Sequence, residues 1–316
     1  MECTKFLGRV GGIAVGLGIG STLAALPWVA SADVVGQLTP DIGSAIDVLP
    51  FASAAAGSTP DFAISYDGMS LLQEGNASAT TVAGNFGLAI AYGDGSRAFD
   101  NGLYGDSYAN GTDSTSYIGG GTSNISIANG ADSITNVNGD SNFVDATGYQ
   151  SNASAVFGNG NTVIADGAGS QSQVLGLDGG GDNNLVSVFG ANSLADTSGS
   201  GSILDVVGNN DIQASTDGMN NIAAIFGDGS MAQAAGGDGN IAAVFGDGST
   251  AFAGIGNNAL AAVFGDLLSA SAIEGGTDIE PSATAATAMA DLFGGTVPDA
   301  SFLTDFLDGS WLTSLF

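Results

Sequence analysis

Three aspartates fall 19 residues apart, Asp228, Asp247 and Asp266, each behind a Phe-Gly pair, and a fourth, Asp238, lies within Gly236-Gly237-Asp238-Gly239-Asn240. If residues 19 apart stack, neighbouring carboxylates at about 5 Å repel by roughly 0.8 kcal/mol even in water, and a hard cation such as Ca²⁺ would reverse that sign. Calcium is therefore the one cofactor these residue types suggest. The calcium-binding nonapeptide of secreted β-rolls runs G-G-x-G-x-D-x-U-x; residues 236–240 match its first half, but Ile241 stands where the family places its ligand Asp. The competing reading is that all four are solvated turn residues, selected because Asp tolerates turn backbone. A second acidic group, Asp94, Asp100 and Asp106, surrounds Arg97. It is the nearest approach in the chain to the paired carboxylates of a carbohydrate-active enzyme, and a local ion pair is the simpler reading.

Little else in the composition does chemistry. The 316 residues include no His, one Cys (Cys3) and three Lys+Arg (Lys5, Arg9 and Arg97) against 32 Asp+Glu, for a formal charge of −29. The usual general bases, amine nucleophiles and thiolates are missing, so no catalytic activity is expected. Nucleic acid is excluded as a partner, because binding it requires clustered Lys/Arg.

The two other bases mark the N-terminus. Lys5 and Arg9 precede an apolar, Gly-rich run, Val10–Leu26, and Ala30-Ser31-Ala32 has the form of a cleavage site before Asp33. This is the three-part layout of a secretory signal, predicting residues 1–32 as a signal peptide and a mature chain with neither cysteine nor membrane span. The expected location is secreted or at the surface of the cell envelope.

The elements that must position the aspartates are read from the same period. Ile222-Ala-Ala-Ile-Phe-Gly-Asp-Gly-Ser230 recurs as Ile241-Ala-Ala-Val-Phe-Gly-Asp-Gly-Ser249 and as Leu260-Ala-Ala-Val-Phe-Gly-Asp266. Short apolar runs closed by Gly-Asp at a period near 20 predict an all-β fold, a β-solenoid of the β-roll or β-helix type with about 18–20 residues per coil, each coil holding two short strands and two tight turns. The expected organisation is a linker or short helix at 33–60, the solenoid at 61–270 and a helical cap or tail at 271–316, where Phe302, Leu303, Phe306 and Leu307 recur at helical spacing. Strand-ending glycines at Gly93, Gly105, Gly119, Gly139, Gly158, Gly176, Gly190, Gly208, Gly227, Gly246 and Gly265 predict coils that are irregular at the start and regular at the end.

Alternation places Ile222, Ala224 and Phe226 on one face and Ala223 and Ile225 on the other. Both faces are apolar, so one fills the roll and the other needs a second covering. The phenylalanine column, Phe157, Phe189, Phe226, Phe245 and Phe264, is expected inside as a packed ladder. Self-association through the remaining apolar face follows as the expected partner interaction.

Two resemblances bear on function. Ser107-Tyr-Ala-Asn-Gly111 and Ser126-Ile-Ala-Asn-Gly130 resemble the head repeats of trimeric autotransporter adhesins, which implies a β-roll head that trimerises through an apolar outer face. The leader, together with Asp61-Phe-Ala-Ile-Ser-Tyr-Asp-Gly-Met-Ser70 and Ala89-Ile-Ala-Tyr-Gly-Asp-Gly-Ser96, resembles exported Gly/Ala-rich repeat proteins of mycobacteria, which implies export and an envelope setting but no activity. The expectation is an adhesin-like structural or interaction protein with a cell-envelope or host surface ligand. A calcium-stabilised β-roll is the alternative, and a carbohydrate-active β-helix enzyme the remote one.

Overall fold

The computed structural model describes residues 61–176, 181–215 and 218–281, and within them the chain is all β. The strands form two sheets, one of 13 strands (the long sheet) and one of 11 (the short sheet). From Leu88–Tyr92 onward, successive strands alternate between the sheets, and each pairs in parallel with its counterpart one coil away. This is the β-solenoid that the period predicts. Ile203, Ile222, Ile241 and Leu260 stand in one row of the long sheet, in register across three consecutive pairings. The predicted helices at 33–60 and over most of 271–316 lie outside the described residues. The coils themselves continue past residue 270, through Ser269–Ile273 and Thr277–Pro281.

Both ends of the described stack break its pattern. At the start, Phe62–Tyr66 runs antiparallel to Leu88–Tyr92 and also to the edge strand Met69–Glu74. At the other end, Asp278 and Glu280 occupy the row positions held by Ala261 and Val263 one coil earlier. Carboxylates in place of core residues deter another strand from adding to that edge.

The interior is narrow. In the long sheet its rows are Leu204, Ala223, Ala242, Ala261 and Val206, Ile225, Val244, Val263, all fully buried. The short sheet answers the later coils with Ala232, Ala234, Ala251 and Ala253, also fully buried. Large residues thus face small ones, the arrangement that fills a thin core without voids. Toward the N-terminus the interior turns polar and holds a chain of hydrogen-bonded hydroxyls. Ser107 Oγ donates to Ser116 Oγ (2.8 Å), Ser116 Oγ donates to Ser126 Oγ (2.8 Å), and Ser126 shares a 2.7 Å bond with Thr135 Oγ1.

Two corrections follow. The phenylalanine column is outside the roll, because its strand position alternates with the buried rows: Phe226 is 39 % exposed and Phe189 43 %, while Ile225 and Val188 beside them are fully buried. Phe157 does not belong to the column, since it follows the short-sheet strand Asn152–Val156 and adopts φ 62°. A core so shallow has room for Val or Ile opposite Ala, and none for a ring.

The second correction concerns the glycines, whose predicted series mixes the two corners of the roll. The corner after each long-sheet strand holds Gly93, Gly111, Gly130, Gly148, Gly167, Gly190, Gly208, Gly227, Gly246 and Gly265, all at positive φ. Their steps are 18, 19, 18, 19, 23, 18, 19, 19 and 19, so the coils are regular from the start apart from one longer turn. Glycine is required here because coils touch: a Cβ on Gly246 would lie 2.2 Å from the Gly265 carbonyl oxygen.

Candidate functional site

Each corner also carries two polar ladders, and these decide what the predicted aspartates do. Asp228, Asp247 and Asp266 are stacked as expected, in the corner that follows the long-sheet strands. Asp247 Oδ1 accepts the Asp228 N–H at 2.8 Å, Asp266 Oδ1 accepts the Asp247 N–H at 2.9 Å, and Asp228 Oδ1 accepts the Asn209 N–H at 2.8 Å. Every carboxylate thus holds the backbone of the coil before it, a charge-assisted bond stronger than a neutral one. Asp238 is not with them. It lies in the opposite corner, where it accepts the Met219 N–H at 2.8 Å and donates its own N–H to Asn257 Oδ1 at 2.8 Å. Asn240, which completes the partial calcium motif, is buried and accepts the Ala259 N–H at 2.9 Å. Among the described residues no three His, Cys, Asp or Glu side chains gather as a metal-binding set.

Sequence reasoning missed the inner ladders. Asn124, Asn142, Asn161 and Asn184 are buried, each directly before a long-sheet strand. The N–H of Asn142, Asn161 and Asn184 donates to the Oδ1 of the preceding asparagine, at 2.9 Å each time. At the other corner a buried serine precedes the short-sheet strands between the first and the last of that sheet: Ser96, Ser114, Ser133, Ser151, Ser170, Ser193, Ser230 and Ser249, with Asp211 in place of serine once. Ser230 Oγ and Ser249 Oγ each donate to a glycine carbonyl of the next coil at 2.8 Å. The signal was present in the sequence, as a Ser, Asn or Asp one place before each strand from Thr115–Gly120 to Thr250–Gly254.

Asp211 is the ladder's exception. It accepts the Ser230 N–H through Oδ1 at 2.7 Å, while its buried Oδ2 has no hydrogen-bond partner. Burial pushes its carboxyl above the usual range, opposed by the Ser230 hydrogen bond and reinforced by Asp228 and Asp247. Asp145, on the outward face of the long sheet, is raised chiefly by burial as well.

The acidic group around Arg97 is not assembled. Arg97 is exposed on the outer face of the short sheet, whereas Asp100 in the same strand is fully buried. Asp106 belongs to the other sheet, and Asp94 lies in a turn, accepting a hydrogen bond from Asn76 Nδ2 at 2.9 Å.

What remains for function is the two outward faces. On the long sheet, Phe226, Phe245 and Phe264 stack with centroids 5.2 and 5.1 Å apart and planes 4° from parallel. Between them and the Ile222, Ile241 and Leu260 row runs a row of alanines, of which Ala243 and Ala262 are fully buried by their larger neighbours. Comparison with protein-family models, curated proteins and solved structures gives no match.

Proposed function

We propose that this chain is an exported, non-catalytic structural protein of the cell surface that associates with copies of itself through the outward Ile/Ala/Phe face of its long sheet. The observation that supports this reading is the placement of the phenylalanine ladder on the outside, in a chain of charge −29. An acidic protein gains solubility from outward charge, yet the five strands from Leu185–Phe189 to Leu260–Phe264 carry one outward carboxylate, Asp205, held by Ser187 Oγ at 2.7 Å. Contiguous apolar surface of this kind marks interaction sites on soluble proteins.

The size of the patch sets the strength. Five strands about 4.8 Å apart and about 16 Å long cover roughly 400 Å². Each partner in a stable complex contributes about 800 Å². The contact is therefore weak and reversible, and the net charge opposes it at low salt. Screening shortens to about 8 Å at physiological ionic strength and about 3 Å at 1 M, so association strengthens with salt. Light scattering at tens of micromolar, in low and high salt, tests this. Phe226→Glu, which places a charge on the exposed ladder in the middle strand of the five, is expected to leave a monomer with an unchanged β spectrum. A wild-type chain that is monomeric at both salt concentrations overturns the reading. Export is tested separately by mass spectrometry of culture filtrate and envelope extract, with a mature N-terminus expected at Asp33.

A further inference from the structure

The outward rows of the short sheet carry a different chemistry. Phe99, Tyr117, Asn136, Ser154 and Gln173 stand in one row, and Arg97, Thr115, Ile134, Asn152 and Gln171 in the row beside it. From Ser78 to Leu175 no outward position of this sheet holds a carboxylate, although the same coils turn Asp106, Asp145 and Asp166 outward on the long sheet. In a chain with 32 acidic residues this is a face kept free of carboxylates, with Arg97 as its one charge.

Beside apolar residues such as Ile134, Val156 and Leu175, the face carries a group of amide side chains. The amides of Asn136, Asn152, Gln171 and Gln173 bond to no other described residue, and each offers a donor and an acceptor to solvent. At one end of the row, Tyr117 stacks on Phe99 with centroids 5.0 Å apart and planes 9° from parallel. The Tyr117 ring leans over Gly119, where a Cβ would come within 2.9 Å of Cε1. Glycine there lets the ring lie down along the strand, leaving it 41 % exposed.

We propose that this face binds an extended, uncharged polysaccharide, a linear β-1,4-linked glycan lying along the solenoid axis. Tyr117 stacks against the apolar flank of one sugar ring, and the amides of Asn136, Asn152, Gln171 and Gln173 bond the hydroxyls of those that follow. Hydroxyls donate and accept, as amides do, so each pairing is satisfied without bringing an ion out of water. Coils repeat every 4.8 Å or so, close to the length of a sugar ring in an extended chain, so successive coils meet successive rings. The five strands from Arg97–Asp100 to Gln171–Leu175 span about 19 Å, room for roughly four rings. An added peptide strand is not the occupant this face suits, because such strands pair with an open sheet edge and these backbones are paired on both sides. Anionic polymers are disfavoured by the net charge of −29, against which this face sets one cation, Arg97.

The inference rests on the interaction-protein reading, and it is tested by a separate measurement. Isothermal titration of the full chain with cellohexaose and with chitohexaose is expected to show saturable binding of at least one, with a Kd on the order of 10 µM to 1 mM. Tyr117→Ala and Gln171→Glu should each weaken binding about tenfold or more, while Thr162→Ala, outward on the opposite sheet, leaves it unchanged. Gln171 is an exposed strand residue, so Gln171→Glu retains the fold even if Tyr117→Ala does not, and circular dichroism verifies both. Absence of binding heat with both hexasaccharides at millimolar concentration overturns the proposal, as does binding that both variants leave intact. Light scattering on the same samples reports self-association independently, so either idea fails without the other.

Discussion

Gly246→Ala is the smallest change that tests how tightly the coils approach one another. Two penalties are worked from the structure. The residue has φ +146°, a region essentially reserved for glycine, which costs a side chain about 1–3 kcal/mol. The new Cβ would also stand 2.2 Å from the Gly265 carbonyl oxygen and 2.5 Å from its carbon, so the coils must separate. Separation strains the Gly265 N–H bond to Phe245 O (2.8 Å) and the Leu267 N–H bond to Asp247 O (2.9 Å). Overpacking of this kind adds about 1–3 kcal/mol, giving an expected loss of about 2–6 kcal/mol. Gly229→Ala, two residues after Gly227 in the preceding coil, is the control: its φ is +65° and nothing lies within 4 Å of the added Cβ. That change should cost only about 1–2 kcal/mol, the left-handed penalty alone. Urea unfolding followed by far-ultraviolet circular dichroism compares the two. Equal midpoints would refute the claim that carbonyl contact between coils, rather than turn conformation, requires glycine at this corner.

Asp211→Ser replaces the one acid in the buried serine ladder with the ladder's usual residue, and it should stabilise the fold at pH 7 by about 1–3 kcal/mol, the scale of a buried polar atom left unpaired. The sign with pH is set by the raised carboxyl: the folded state holds the proton more tightly than the unfolded, so Asp211 costs stability increasingly as pH rises above the ordinary carboxylate range through its raised value. The advantage of the variant in thermal melts should therefore be small near pH 4 and grow toward pH 7; a constant difference, or a loss at neutral pH, contradicts it. Calcium at millimolar concentration is expected to leave the melting temperature unchanged, because Asp228, Asp247 and Asp266 are engaged as backbone acceptors and Asp238 lies in the other corner. A rise following RT ln(1 + [L]/Kd) would show a site that this geometry does not account for.

The coil architecture was legible because the repeat of Ile222–Ser230 at residue 241 is nearly exact, and stacked copies place like residues in rows whatever the details of the turn. Which face of a strand points inward was not legible from the hydrophobic pattern, since Ile222/Ala224/Phe226 and Ala223/Ile225 are both apolar. The deciding residue is Asn221, which looks like a surface turn residue and is fully buried. Once it is placed inside, alternation puts Ile222 out, Ala223 in, Ala224 out, Ile225 in and Phe226 out, which the observed burial follows except at Ala224, an outward residue that is itself buried. Asparagine is tolerated inside because its amide bonds the backbone of neighbouring coils, as when Asn142 Nδ2 donates to Gly158 O at 2.8 Å. Expecting the phenylalanine rings inside inverted the true parity. The glycine series misled for a related reason: both corners hold glycines, and Gly93 and Gly139 serve different ones.

The aspartate ladder shows why spacing alone did not distinguish a metal site from a turn. Both require carboxylates repeated once per coil, and the difference lies in what the oxygens face, here the N–H of the preceding coil. Asn does the same work where it occurs, as Asn209 Oδ1 accepts the Ala191 N–H at 2.9 Å. The interchange of Asp and Asn along these ladders is what backbone capping permits. With the interior committed to small and aliphatic residues and to paired Ser and Thr hydroxyls, the inner corners largely to Asn and Ser, and the outer corners to Gly, Asp and Asn, the outward strand positions are the ones that can vary with least disturbance of the stack. Those positions are also the ones that differ most along the chain: aromatic and amide-bearing on the short sheet near Tyr117 and Asn136, acidic at Asp145 and Asp166, apolar at Ile241 and Phe245. The stack fixes where each such row lies, and the chemistry of the row determines what it holds.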